Sequence, residues 1–201
     1  MDKNQLIQNL KQSGFSEEIL KAFSIVKREN FVPNNLKDIV YEDTSLPIGK
    51  GQTISQPYTI AVMFSLLELK KGQKVLEIGS GCGYASALMS EIVGPNGKIF
   101  GIERINELAK KSRKNLKDYK NIKIYSKNGS FGLPKHALFD RVLISASCRE
   151  IPPKVIMQVK NNGIIVAPVS ESLIAYKKSN HQLKIKKEIP GFVFVPFIEK
   201  N

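Results

Sequence analysis

Apolar residues recur at helical spacing through the first part of the chain. Leu6, Ile7 and Leu10, then Ile19, Leu20, Phe23, Ile25 and Val26, predict helix across residues 4–28. Gly14 divides this stretch into two short helices. Ser16 followed by Glu17 and Glu18 reads as the cap and acidic first turn of the second, and Pro33 as its stop. Residues 34–57 follow no period and are rich in Gly, Pro and hydroxyl residues. A connection that long is usually functional or disordered, and Leu46, Ile48 and Ile54 argue for order because they need burial. Ile60, Met63, Phe64 and Leu67 then mark one face of a helix over residues 58–69.

From Gly72 the pattern alternates between short apolar runs and helical segments. Strands are predicted at residues 75–78, 98–102, 122–125, 141–145 and 163–169. Helices fall at 84–92 and 106–116, with a short one opened by Pro152-Pro153. Strands alternating with helices imply a parallel sheet with right-handed crossovers. The last quarter differs: residues 173–176, 183–187 and 192–197 read as strands without intervening helices, an antiparallel edge. The fold expected is α/β: a Rossmann-like, mostly parallel sheet with helices on both faces, antiparallel C-terminal strands and an N-terminal helical extension. One domain spans residues 1–201, divided into helices and a loop (1–57), an α/β core (58–169) and C-terminal strands (170–201).

Composition narrows the class. Hydrophobic residues make up 42% of the 201, enough for a sizeable core. The net charge of +13 comes from lysines spread through the whole chain, without a basic block, which reads as a solvated exterior rather than a nucleic-acid groove. Cys82 and Cys148 fit neither a metal spacing nor a disulfide framework. The N-terminus lacks the apolar core of a signal peptide, and no apolar run is long enough to span a bilayer, so a cytoplasmic protein with reduced thiols is expected.

The chemistry concentrates in residues 74–84, Lys-Val-Leu-Glu-Ile-Gly-Ser-Gly-Cys-Gly-Tyr. Gly79 permits a tight turn, and Gly81 and Gly83 permit close backbone approach to a ligand. Glu103 ends the next strand, where a carboxylate would take two ribose hydroxyls. Glu77 lies inside the first strand, an expensive place for an unpaired acid. Glycine loop, ribose acid and in-strand Glu point to S-adenosylmethionine (AdoMet), with a dinucleotide as the alternative and simple packing of a Rossmann-like turn as the non-functional one.

The chain resembles protein-L-isoaspartate O-methyltransferases from near end to end. The resemblance is carried by Arg28-Glu29-Asn30-Phe31-Val32-Pro33, Leu46-Pro47-Ile48-Gly49 with Gly51-Gln52-Thr53-Ile54-Ser55-Gln56-Pro57, Val75-Leu76-Glu77-Ile78-Gly79-Ser80-Gly81, Ile102-Glu103-Arg104-Ile105, Phe139-Asp140, Ile151-Pro152 and Phe194-Val195-Pro196. The glycine loop alone indicates a class I methyltransferase, whereas Gly-Gln-Thr-Ile-Ser-Gln-Pro is far more specific. The resemblance implies methyl transfer from AdoMet, leaving S-adenosyl-L-homocysteine, to the free carboxylate of isoaspartyl residues in damaged proteins. The ester then re-forms a succinimide, part of which opens to normal aspartate, which is protein repair.

Such chemistry accounts for what the sequence lacks. Its two histidines, His136 and His181, sit in no motif, and no Cys-His or Ser-His-Asp arrangement occurs. A carboxylate is already ionised at neutral pH and needs no general base. The requirement is in-line positioning in a dry pocket. By resemblance Ser55 is the hydroxyl at the reacting carboxylate, although Thr53 and Ser55 are also placed to cap the following helix. The resemblance further implies substrate contacts at Thr53, Ile54, Ser55, Ala146, Ser147, Ile151, Pro152 and Val195. Cofactor contacts are implied at Glu77, Gly79, Ser80, Gly81, Gly83, Tyr84, Glu103, Arg104, Asn128, Gly129 and Ser145. No metal is implied. Val195 and Phe197 read equally well as core strand residues.

The chain departs from the family pattern at Lys127-Asn128-Gly129, where an Asp is usual. Losing that charge weakens cofactor binding by about 1 kcal/mol, the scale of a hydrogen bond changed from charged to neutral. Cys82 and Cys148 follow strands expected to be neighbours, so both thiols are expected to flank the site and to be alkylated with loss of activity, or else to be two unreactive small residues. Competing functions are an RNA or DNA methyltransferase on the same fold, suggested by the charge, and an AdoMet-binding module without activity. Against the first, the sequence has no Asn-Pro-Pro-Tyr-like motif, no Pro-Cys pair and no nucleic-acid module. A monomer with isoaspartyl proteins as partners is expected.

Overall fold

The computed structural model describes residues 1–180 and 182–198; His181 lies outside them. The N-terminal period gives two helices, α1 (Lys3–Gln12) and α2 (Glu17–Ile25). The Asp2 carboxylate caps α1 by accepting from the Gln5 N–H at 2.9 Å. Ser16 holds the N-cap position of α2 without a side-chain cap bond. The second helix stops at Ile25, earlier than Pro33 suggested, because Val26 turns to extended backbone (φ −76°, ψ 122°) and a short 3-10 turn at Arg28–Asn30 follows.

The stretch read as an irregular loop contains a small hairpin, β1 (Leu46–Gly49) and β2 (Gln52–Ile54). Gly49, Lys50 and Gly51 all take positive φ at its turn. Its apolar residues Leu46, Ile48 and Ile54 are 3–4% exposed, so burial rather than strand length holds the hairpin in place. The chain then runs through α3 (Pro57–Leu67), β3 (Lys74–Ile78), α4 (Tyr84–Val93), β4 (Lys98–Glu103), α5 (Asn106–Asn115) and β5 (Ile122–Ser126). It continues through β6 (Phe139–Ile144), α6 (Pro153–Met157), β7 (Val159–Val169), β8 (Ser172–Ser179) and β9 (Gln182–Pro190).

The main sheet has the order β5-β4-β3-β6-β7-β8-β9. Pairing is parallel from β5 through β7 and antiparallel from β7 to β9. Residues 192–197 do not form the predicted third antiparallel strand. They run back across the carboxyl ends of the strands and join through a single bridge, Ser147 with Pro196. Alternate residues of the central strands feed two cores. Val75, Ile99 and Leu143 pack with α2, α3 and α4, whereas Leu76, Ile102 and Ile144 pack with α6 on the other face. Burial on both faces is why these strands read as continuous apolar runs.

The chain steps outward from β3 to β4 and β5, then crosses back to place β6 on the other side of β3. A crevice therefore opens at the carboxyl ends of β3 and β6, the place where open α/β sheets bind ligands. The glycine loop leaves the end of β3 and Ser145 follows β6, so topology alone places both at that crevice. Among the described residues no helix is long and apolar enough to cross a membrane.

Candidate active site

The glycine loop is folded back onto the neighbouring strand. The Gly79 and Ser80 N–H groups both donate to the Ile102 carbonyl, at 2.8 and 3.0 Å. Gly79 (φ +85°) and Gly81 (φ +52°) both need the left-handed region. Glu103, 5% exposed, fixes the loop from below: one carboxylate oxygen accepts from the Gly81 N–H at 2.9 Å and the other from the Ile105 N–H at 2.8 Å. Each oxygen keeps a lone pair for a further donor.

Above this loop lies a cavity lined by Gly79, Gly81, Glu103, Arg104, Gly129 and Ser145, with Ala146 and residues 195–198 closing it. A side chain at Gly129 would stand 2.3 Å from Ile78 and 3.4 Å from the Phe197 ring, so only glycine fits there. A second, wider cavity of about 480 Å³ adjoins it, bordered by Asp43, Thr44, Ser45, Ser55, Gln56 and Thr59, with Val193 and Phe194 on the far side. Thr53, Ser145 and Val195 line both. These three residues form the partition between the two spaces.

The substrate-loop side is built by long-range contacts. Asp43 accepts from the Tyr58 N–H at 2.8 Å and from Gln56 Nε2 at 3.1 Å. Asp43 therefore meets the first amides of α3, and Ser55 makes no side-chain cap bond there. Val195 is held against the sheet because Ser147 N–H donates to its carbonyl at 2.8 Å, and the Phe197 N–H donates to the Ser147 carbonyl at 2.7 Å.

Several sequence candidates lie elsewhere. Tyr84 is 2% exposed and packs its ring against Phe23 and Phe31, on the N-terminal helices rather than in the cavity. Gly83 is required for a different closeness: a Cβ there would meet Ser112 Oγ at 2.6 Å and Leu116 at 2.7 Å, on α5. Ser80 is 5% exposed and turns toward Gly101. The Asn128 side chain accepts from the Ser130 N–H and hydroxyl at 2.9 and 2.8 Å, capping the next turn. Ile54, Ile151 and Pro152 are buried and line neither cavity, and Ala146 lies on the glycine-loop side of the partition. Ser147 works through its backbone.

Glu77 is 1% exposed beneath the loop, hydrogen-bonded by the Ser86 hydroxyl. Burial lifts its pKa to about 7, the Glu103 charge adds to the rise, and the Ser86 and Ser145 hydroxyls oppose it. Ser145 Oγ is itself shut off from solvent and makes no hydrogen bond of normal geometry. Both thiols are buried away from the cavities. Cys82 is 1% exposed with its pKa pushed up to about 11, chiefly by burial, and Cys148 is 5% exposed beside the Pro168 carbonyl. Their strands are neighbours as expected, but neither thiol is presented to reagent.

Sequence reasoning passed over two contributors. Asp43 and Arg28 each reach the Ser55 loop across a long chain separation. Arg28 opens one of the family motifs, whereas Asp43 lies outside all of them.

Comparison with known proteins follows the same geometry. The family model described as "Protein-L-isoaspartate(D-aspartate) O-methyltransferase (PCMT)" matches residues 1–201. A protein-L-isoaspartate O-methyltransferase of Methanothrix thermoacetophila is 42% identical over 205 residues, covering 100% of this chain and 96% of its own. One from Ignicoccus hospitalis is 43% identical over 208 residues, covering 99% and 98%. A solved structure named protein-L-isoaspartate O-methyltransferase superposes with a TM-score of 0.90 at 28% identity, over 97% of this chain and 65% of its own length. A Plasmodium falciparum structure described as a protein-L-isoaspartate O-methyltransferase in complex with S-adenosyl-L-homocysteine superposes with a TM-score of 0.87 at 26% identity, over 100% of both chains.

Proposed function

The chain belongs to the protein-L-isoaspartate(D-aspartate) O-methyltransferase family, and from that premise we propose how its own residues carry methyl transfer from AdoMet to an isoaspartyl carboxylate. The cavity over the glycine loop takes the cofactor and the wider cavity takes the substrate peptide. One observation carries this assignment: among the described residues Thr53, Ser145 and Val195 line both spaces, which marks where a reacting methyl and a reacting carboxylate would come together.

The residues present fit the cofactor. Glu77 and Glu103 are both buried, and neither forms an ion pair among the described residues. Two buried acids favour a ligand bearing positive charge, as AdoMet does on its sulfonium and α-ammonium groups, and disfavour the pyrophosphate of a dinucleotide. Glu103 is placed for the ribose hydroxyls, Gly79 and Gly81 give backbone access, and Gly129 leaves room for a flat ring. Bound AdoMet supplies an electrophilic methyl group. The chain contributes position: Ser55 donates to one oxygen of the isoaspartyl carboxylate, Thr53 and Val195 hold the peptide against the partition, and residues 195–198 exclude water. No residue takes a proton, because the attacking carboxylate is already ionised.

Among the described residues the wall of the substrate cavity has no basic residue, and it carries Asp43. Such a wall offers nothing to neutralise a run of phosphates, whereas a single carboxylate can be held by a few hydrogen-bond donors, which weighs against RNA or DNA as substrate. We place the enzyme in the cytoplasm, a reading supported by two buried cysteines that form no disulfide, and take it to be a monomer.

The test offers tritiated AdoMet to an isoaspartyl peptide, its aspartyl twin and bulk tRNA. Base-labile label on the isoaspartyl peptide alone is expected. Label on tRNA alone would overturn the reading, and bound AdoMet with no label anywhere would show a binding module. Ser55→Ala should lower kcat about 10- to 100-fold, the worth of one hydrogen bond to a charged oxygen, with AdoMet affinity unchanged.

A further inference from the structure

Arg28 is 0% exposed, the most deeply buried charged side chain among the described residues. Burying a cation is costly unless an anion neutralises it, and no carboxylate pairs with its guanidinium among the described residues. It bonds to two backbone carbonyls, with the Tyr84 hydroxyl as a further side-chain partner. Nη1 donates to the Ser55 carbonyl at 2.9 Å and Nη2 to the Thr44 carbonyl at 3.0 Å. The Tyr84 ring lies beneath, 5.3 Å from the guanidinium carbon. Asp43, whose charge acts on Arg28 from the same loop, has both oxygens engaged by Tyr58 N–H and Gln56 Nε2.

Thr44 precedes β1 and Ser55 follows β2. One planar fork thus closes both ends of the hairpin that carries Thr53, and it grips the main chain of the residue assigned to the reacting carboxylate. A lysine can supply the charge but not two donors in a fixed plane. The guanidinium charge, which Asp43 offsets without pairing to it, lies directly behind the loop that must receive an anion.

We propose that Arg28 is the positioning residue of this site: its guanidinium holds Ser55 in register with the partition and acts as the buried counter-charge for the isoaspartyl carboxylate. The inference rests on the assignment of Ser55 made above. The two duties separate kinetically. Orientation acts on kcat, whereas charge attraction toward a bound carboxylate acts on KM.

Arg28→Lys and Arg28→Met are to be compared with Ser55→Ala for kcat and KM on an isoaspartyl peptide, AdoMet affinity by calorimetry, and thermal midpoint. Arg28→Lys should lower kcat about 10-fold with KM within about 3-fold of wild type, since charge stays and the fork is lost. Arg28→Met should lower kcat similarly and raise KM about 10-fold or more, with AdoMet affinity within about 3-fold of wild type. A loss of AdoMet affinity in step with the thermal midpoint would show a general structural role and overturn the inference. Arg28→Lys with wild-type kcat would overturn it as well, and that variant decides the matter if Arg28→Met does not fold. Should Ser55→Ala keep full activity, the Ser55 assignment fails and takes the inference with it. Should Ser55→Ala be slow while both Arg28 variants are normal, the inference alone fails.

Discussion

Glu77 is a carboxylate that titrates near neutrality because water is kept from it. Its pKa rises from the ordinary 4.5 to about 7, first through burial and then through the Glu103 charge, against the pull of the Ser86 hydroxyl. The sign for stability follows. Between 4.5 and about 7 the folded protein holds a proton that the unfolded chain has released, so stability falls as pH rises through that window. Urea unfolding of the wild type from pH 4.5 to 7.5 should show this decline, and Glu77→Gln should flatten it. Parallel slopes in the two proteins would remove Glu77 as the cause. Gly83 and Asn128 teach the same lesson about single positions. A glycine in a ligand loop faces α5, and an asparagine where the family carries an acid is occupied with Ser130. What a residue does is set by the direction of its side chain, which spacing along the chain does not give.

At the scale of elements, the segment after β9 is the informative one. The apolar run over residues 192–197 reads as a strand, yet it joins the sheet only through the bridge of Pro196 with Ser147. The segment instead crosses the carboxyl ends of the strands, tied through Ser147, and places Val195 on both cavities. Ending the chain after Gly191 should therefore lower kcat/KM by about 100-fold or more, since an open site loses both water exclusion and positioning. The thermal midpoint should drop by only a few degrees, about 1 kcal/mol for a chain of this size, because the sheet keeps its two cores. Differential scanning calorimetry beside steady-state kinetics checks the pair of outcomes. A large fall in midpoint would mean that the segment is part of the core instead. The hairpin of β1 and β2 behaves similarly. It is too short to stand alone and persists through the burial of Leu46, Ile48 and Ile54 and through Arg28.

The whole molecule carries a net charge of +13, while an isoaspartyl residue presents a free α-carboxylate. Among the described residues the wall of the substrate cavity has no basic side chain, so this excess acts at long range rather than by contact. For an acidic isoaspartyl peptide, kcat/KM should fall roughly 3- to 10-fold between about 0.05 and 0.5 M salt, with kcat unchanged. A neutral peptide should show little change. Equal salt effects on both peptides would mean that the surface charge has no part in substrate capture.

The sequence by itself determined the alternation of strands and helices in the α/β core, the glycine turn and the family motifs, because these depend on local periodicity and on backbone conformations that only glycine adopts freely. It also carried the cofactor class, since Glu77 and Glu103 sit at fixed distances from that turn. Tertiary structure decided which neighbours those residues meet. Arg28 and Ser55 lie 27 positions apart and touch through a buried fork. Ser145 reaches the partition only because β6 pairs with β3. Tyr84 leaves the site because the N-terminal helices offer its ring a better-packed place. Such contacts arise from packing between distant segments, where burial outweighs any preference written into the local chain.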